Sequence, residues 1–179
     1  AVILASIVEK ETALAAERPR VAAVFSNRLR AGMRLESDPT IVYGVTKGRP
    51  LGRGIRRSEL LAPTPWNTYQ INGLPPTPIA NPGKEAVKAV LNPPADPALF
   101  FVADGSGGHA FALTYDEHLQ NVARWRQIER QKAGLPPEAT PPATPGTSAA
   151  PMTTEPAAAS VENGQATITL PAGATQGAR

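Results

Sequence analysis

The chain has 179 residues, twenty of them proline, and a formal net charge of +3. It contains no cysteine, which excludes disulfides, thiol catalysis and cysteine-based metal sites. No apolar stretch reaches membrane-spanning length, and without a long Lys/Arg run or interleaved basic and aromatic residues, nucleic acid is a poor candidate partner.

The opening segment reads as a helix to about Ala16. Leu4, Ile7, Val8, Glu11, Leu14 and Ala15 follow the i, i+3, i+4, i+7 pattern of a core-facing stripe. Glu11 therefore lies within the apolar stripe, whereas Glu9 turns about 200° away around a 3.6-residue helix. A buried, unpaired carboxyl is costly when ionised, so its pKa should rise. A carboxylic acid kept protonated near neutral pH is what general acid catalysis at a glycosidic oxygen requires. The competing reading is a structural Glu at the stripe edge, paired with Arg28 or Arg30. The chain starts inside this helix without an initiating Met, as expected of a fragment lacking its N-terminal part and any anchor there.

Pro19 marks a break, and a second helix follows at about 20–31 with Val21, Val24, Phe25 and Leu29 inward and Gly32 at its C′ position. Ser37-Asp38-Pro39 opens a third, with Asp38 as cap and Pro39 at the first helical position, running through Ile41, Val42 and Tyr43 to Gly44. If Asp38 instead reached a cleft, it would supply a second carboxylate and a hydrolase would become possible. Residues 46–57 are loop-like, and Ser58 caps a short helix through Leu61. Residues 62–80 are irregular but ordered, anchored by Trp66, Tyr69, Ile71 and Leu74. Within them, Trp66-Asn67-Thr68-Tyr69 pairs aromatics with an amide, which suits sugar stacking and hydrogen bonding as well as pinning of a proline-rich loop.

A helix at about 82–91 follows, with Val87, Val90 and Leu91 inward. Leu99–Ala103 and His109–Ala112 form a hairpin across the tight turn at 104–108. His109 and His118 have no zinc spacing with partners, although His109 at a strand start can line a cleft. Thr114 and Glu117 form a capping box for a last helix at about 115–132, with Gly134 at its end. The class is α+β, mostly helical with one hairpin.

Residues 135–179 hold eight prolines, four charged residues and no aromatics. They cannot bury enough apolar surface to offset chain entropy and are expected to be a disordered tail, with Ala166–Leu170 as a transient strand. The folded part is then about residues 1–134, a normal single-domain size. The tail carries three Glu and one Arg, or −2, which leaves about +5 for that body. This mild basic bias suits an acidic polymer or an anionic membrane surface.

Taken together, Leu4-Ala5-Ser6-Ile7-Val8-Glu9-Lys10-Glu11-Thr12, Val24-Phe25-Ser26-Asn27-Arg28-Leu29, Gly32–Thr40, Tyr43-Gly44, Pro65–Tyr69, Gly73–Ile79, Asn81-Pro82-Gly83 and Phe101–Phe111 resemble the MltG/YceG-like endolytic murein transglycosylases. The resemblance covers nearly all of residues 1–130. It implies a lysozyme-like transglycosylase domain that needs no cofactor or metal. Such an enzyme cleaves the MurNAc–GlcNAc β-1,4 bond of nascent peptidoglycan glycan strands without water, leaving a 1,6-anhydroMurNAc end.

The family's catalytic Glu falls on Glu11, and Ser37, Asp38 and Thr40 fall on the cleft floor. Glu11-Thr12 and Trp66-Asn67-Thr68-Tyr69 look like counterparts of the Glu-Ser and Tyr-Asn-Ala-Gly motifs of related enzymes. Asn67 thus becomes a substrate-positioning candidate, with Trp66, Tyr69 and His109 as further contacts. The resemblance also implies cell-wall synthases as partners, and a catalytic domain facing the periplasm from the bacterial inner membrane through an anchor absent from this segment. A muramidase using Asp38 and a non-catalytic glycan-binding module remain the alternatives.

Overall fold

The computed structural model describes residues 1–136 and the backbone of two strands further on, Ala158–Glu162 and Gln165–Thr169. Its elements are α1 (Val2–Glu11), α2 (Arg18–Arg30), α3 (Asp38–Thr46), α4 (Arg57–Leu61), α5 (Lys84–Leu91), β1 (Phe100–Ala103), β2 (His109–Ala112) and α6 (Tyr115–Lys132), then β3 and β4 at the two later strands. This is the expected α+β class. β4 falls on the strand expected near 166–170 and pairs antiparallel with β3. The rest of the expected disordered tail beyond residue 136 lies outside the described residues.

α1, α2 and α5 pack around one apolar centre. Leu4, Ile7 and Val8 of α1 meet Val21 and Phe25 of α2, Ala86 and Ala89 of α5, and Leu35 and Ile79 from the connections. Each large aliphatic or aromatic side chain so buried contributes about 1.5–3 kcal/mol. The hairpin joins this centre where Phe101 meets Phe25 edge-on, ring centroids 5.7 Å apart. α6 closes the far side of the hairpin, its His118 ring stacked on Phe100. Burial pushes that imidazole down to about 4, so it is neutral at physiological pH. A second, smaller core of Ile41, Ile55, Leu60 and Tyr69 holds α3, α4 and the loop between them.

Several boundaries differ from the sequence expectation for local reasons. α1 ends at Glu11, five residues before the expected Ala16. Thr12 turns extended, and its Oγ1 accepts the Leu14 N–H at 3.0 Å, a side-chain turn that competes with the helix. Leu14 and Ala15 therefore leave the stripe and are exposed. Pro19 does not break the chain but sits in the first turn of α2, where it costs no hydrogen bond. That helix ends as expected at Gly32 (φ +68°): Gly32 N–H bonds Leu29 O and Met33 N–H bonds Arg28 O, satisfying the last carbonyls.

Asp38 is the first helical residue of α3 rather than its cap; Ser37 flanks it, and the helix continues past Gly44 to Thr46. In α4 the start is Arg56, whose N–H bonds Glu59 Oε2, and Ser58 lies inside the first turn. α5 faces the core with Ala86 and Ala89, whose small side chains let the helices approach closely. Val87 and Val90 flank that line and Leu91 is exposed. Leu74 is exposed rather than an anchor of the 62–80 loop; Ile79 is buried there, its N–H bonded to the buried Ser6 Oγ. The capping box of Thr114 and Glu117 forms as expected.

Candidate active site

The last turn of α1 delivers Glu11 into a cleft between α2, the start of α3 and the hairpin. Glu11, Arg28, Glu36, Asp38 and His109 supply its polar lining, and Leu35, Phe101 and Val102 its apolar wall. Glu11 is only 9% exposed. Among the described residues its carboxyl has one side-chain hydrogen-bond partner, Ser37 Oγ, which donates to Oε2 at 3.2 Å. The pairing with Arg28 or Arg30 does not form. Arg28 instead donates to Leu99 O, Arg34 O and Leu35 O and pairs with Glu36 at 3.2 Å. Arg30 bonds Asn27 Oδ1.

Burial, and then the neighbouring Asp38 carboxylate, push the Glu11 carboxyl up to about 8. The Ser37 hydrogen bond and the more distant Arg28 charge pull the other way without prevailing. At pH 7 the protonated form then outnumbers the ionised form by about ten to one. Glu9, on the opposite face, serves structure. It pairs with Arg18 and accepts the Gly83 N–H, tying α1 to α2 and to the approach of α5.

Asp38 stands in the same cleft and is 1% exposed. Tyr69 OH donates to its Oδ1 at 2.6 Å, while the buried Oδ2 has no hydrogen-bond partner among the described residues. Burial raises this carboxyl to about 6 against the lowering effect of the Tyr69 bond. Two carboxyls in one cleft are thus set apart, one protonated and one ionised at neutral pH, the pattern of an acid and a charge-stabilising partner.

Of the eight residues singled out from sequence, Glu11, Asp38 and His109 line the cleft. Ser37 and Thr40 lie directly behind it: Ser37 N–H bonds Thr68 Oγ1, and Thr40 Oγ1 bonds both Ser37 O and Thr68 Oγ1. Tyr69 is also behind the wall and reaches the cleft only through Asp38. Asn67 is not brought to the cleft. Its amide donates to Leu60 O at 2.9 Å and Ala62 O at 2.8 Å and accepts the Tyr69 N–H at 3.0 Å, so it is consumed in fastening the loop to α4. Trp66 lies outside the lining as well; its indole N–H bonds Thr77 Oγ1, and the Lys47 ammonium sits 3.3 Å over its ring.

Sequence reasoning missed three contributors. Arg28 and Glu36 line the cleft as an ion pair, and Glu36 adopts φ +53°, a backbone state unfavourable for a residue with a Cβ. Glu17 fastens His109, bonding its Nδ1 at 2.7 Å and its N–H at 2.9 Å. That carboxylate packs where a Cβ on Gly108 would stand, 2.7 Å from its Oε1. The Gly-Gly-His run was a legible signal for such a close approach; Glu36 stood within the Gly32–Thr40 run without a role read for it.

The sequence profile of the YceG-like family matches residues 1–124. The chain is 37% identical over 129 residues to a Bacillus subtilis (strain 168) protein named endolytic murein transglycosylase, covering 72% of this chain and 35% of that one. It is 36% identical over 126 residues to a protein of the same name from Streptococcus pneumoniae (strain D39), covering 67% and 22%. It also resembles the crystal structure of a YceG-like protein from Listeria monocytogenes, with a TM-score of 0.59 and 36% identity over 66% of this chain and 37% of that one. The chain thus spans about a third or less of the length of these curated relatives.

Proposed function

The chain belongs to the YceG-like family, and on that premise we propose that it carries the catalytic chemistry of an endolytic murein transglycosylase, with Glu11 as its acid and then its base. The observation that supports this most is the Glu11 carboxyl itself: buried, held by the Ser37 hydroxyl, proton-bearing at neutral pH, and open to a cleft.

In the first step Glu11 donates its proton to the glycosidic oxygen as the bond from that oxygen to the anomeric carbon breaks. Positive charge develops on the sugar ring, and the ionised Asp38 in the same cleft stabilises it. Its unpartnered Oδ2 accepts a donor from the bound sugar, which would satisfy a buried lone pair otherwise left empty. In the second step the Glu11 carboxylate takes the proton of the sugar's own C6 hydroxyl, whose oxygen bonds the anomeric carbon and closes the 1,6-anhydro ring. The attacking group is already tethered, so the step gains from proximity and consumes no water. Ser37 orients Glu11, while Asn67 and Tyr69 hold the wall that positions Asp38.

This reading takes the enzyme to nascent glycan at the periplasmic face of the inner membrane, beside the synthases that make it. No helix among the described residues is long and apolar enough to cross a membrane. A second reading, hydrolysis with Asp38 activating a water, draws on the presence of that ionised carboxylate in the cleft. Mass analysis of muropeptides separates the two, because the anhydro product is lighter than the hydrolytic one by one water. Wild type should yield anhydro ends and Glu11→Gln none. Undiminished turnover by Glu11→Gln, or hydrolytic ends from wild type, would reject the proposal.

A further inference from the structure

The basic excess of the described body is not spread over its surface. Of about +5 carried by residues 1–134, the stretch from Lys47 to Glu59 holds five cations (Lys47, Arg49, Arg53, Arg56, Arg57) against one anion, Glu59, a net +4. Glu59 is taken by Arg53, which pairs with both its oxygens, and by the Arg56 N–H. Lys47 lies over the Trp66 ring. Arg49, Arg56 and Arg57 are exposed, and none has a carboxylate within ion-pair distance among the described residues.

The loop that presents them is not loose. Ile55 is buried and Leu51 half-buried against Ile41, Leu60 and Tyr69. The Asn67 amide locks α4 to the segment that ends on Asp38 through Tyr69. Both ends of the loop therefore lead back to the cleft: one along α3, which begins at Asp38 and runs nine residues, about 12 Å, the other through Asn67 and Tyr69. The loop's own apolar side chains point inward and leave guanidinium groups outside. That arrangement suits discrete carboxylates, which a guanidinium binds in a fork, better than insertion into a lipid surface.

We infer that the Lys47–Arg57 loop is a substrate-recognition site for the carboxylates of the peptide branches borne by a glycan strand lying in the cleft. The inference rests on the murein reading above and adds a preference to it: strands that still carry their peptides are bound in favour of bare ones.

The test measures binding rather than turnover. The Glu11→Gln chain, with and without the triple substitution R49Q/R56Q/R57Q, is titrated with uncrosslinked glycan strands bearing peptides and with the same strands stripped of them. The triple substitution should weaken binding of peptide-bearing strands about tenfold at low salt, an effect shrinking as salt screens exposed charges, and leave bare strands unchanged. R49K/R56K/R57K, which keeps the charge, should recover part of the loss. Equal loss on both substrates, no loss, or no binding of peptide-bearing strands at all would overturn the inference. So would an effect confined to phosphatidylglycerol vesicles, which would assign the loop to a membrane surface. A wild-type chain that makes no anhydro ends would count against the function proposed above, while this binding difference would still be read out.

Discussion

Replacing Asn67 with alanine separates two roles for that side chain. The structure gives its amide three good hydrogen bonds, to Leu60 O, Ala62 O and the Tyr69 N–H, all at 3.0 Å or less and all inside the protein. Each such bond is worth about 1 kcal/mol net, and here the backbone partners are left buried without replacement, so the loss should reach about 3 kcal/mol. For a folded body of this size, an unfolding entropy of about 0.28 kcal/mol/K turns that into a drop of about 10 °C in melting temperature, measurable by scanning calorimetry. Asn67→Asp keeps the acceptor for Tyr69 but sets oxygens against two carbonyls, so it should lose at least as much. If either variant melted within about 2 °C of wild type while its KM for glycan strands rose, the amide would be facing substrate and the clamp would be refuted.

Activity should follow a bell-shaped pH profile with limbs near 6 and 8, the lower set by ionisation of Asp38 and the upper by loss of the Glu11 proton. Tyr69→Phe removes the bond that lowers Asp38, so the lower limb should move to higher pH in kcat/KM profiles while the upper limb stays. Stability should fall with rising pH between about 4.5 and 8, because the folded chain keeps the Glu11 proton where the unfolded chain has released it; below that window the contribution is complete. Asp38 adds a fall of the same sign from 3.8 to about 6. Glu11→Gln should therefore abolish the decline above pH 6 and melt higher than wild type at pH 8, by a few kcal/mol in chemical denaturation.

Glu11 was legible because helical periodicity alone places a carboxylate in an apolar stripe, and Leu4, Ile7 and Val8, all buried, follow the same period. The end of that helix was not, since Leu14 and Ala15 continue the period and only the Thr12 hydroxyl, bonding Leu14 N–H, stops it. Asp38 was readable as a helix-start residue, but its role turned on a single position. With Ser37 flanking the helix, the Asp38 carboxyl is free to meet Tyr69, thirty-one residues on. Asn67 shows the limit most clearly. Its partners are backbone groups of Leu60 in α4, of Ala62 just after it and of Tyr69 in its own loop, and backbone groups leave no trace in residue identity. The Arg28–Glu36 pair and the left-handed Glu36 arise from tertiary packing of the same kind. Charge, by contrast, could be counted, though only the fold shows that Leu51 and Ile55 turn inward and leave the arginines outside.

The proposed chemistry depends on the protonation state of one side chain, that of Glu11. Carbon-detected NMR titration of the Glu11 carboxyl, assigned by its disappearance in Glu11→Gln, reads that state directly. A midpoint near 8 is the result expected of a buried acid that carries its proton into the reaction. A midpoint near 4.5, the ordinary value for a solvated glutamate, would leave the cleft without its acid.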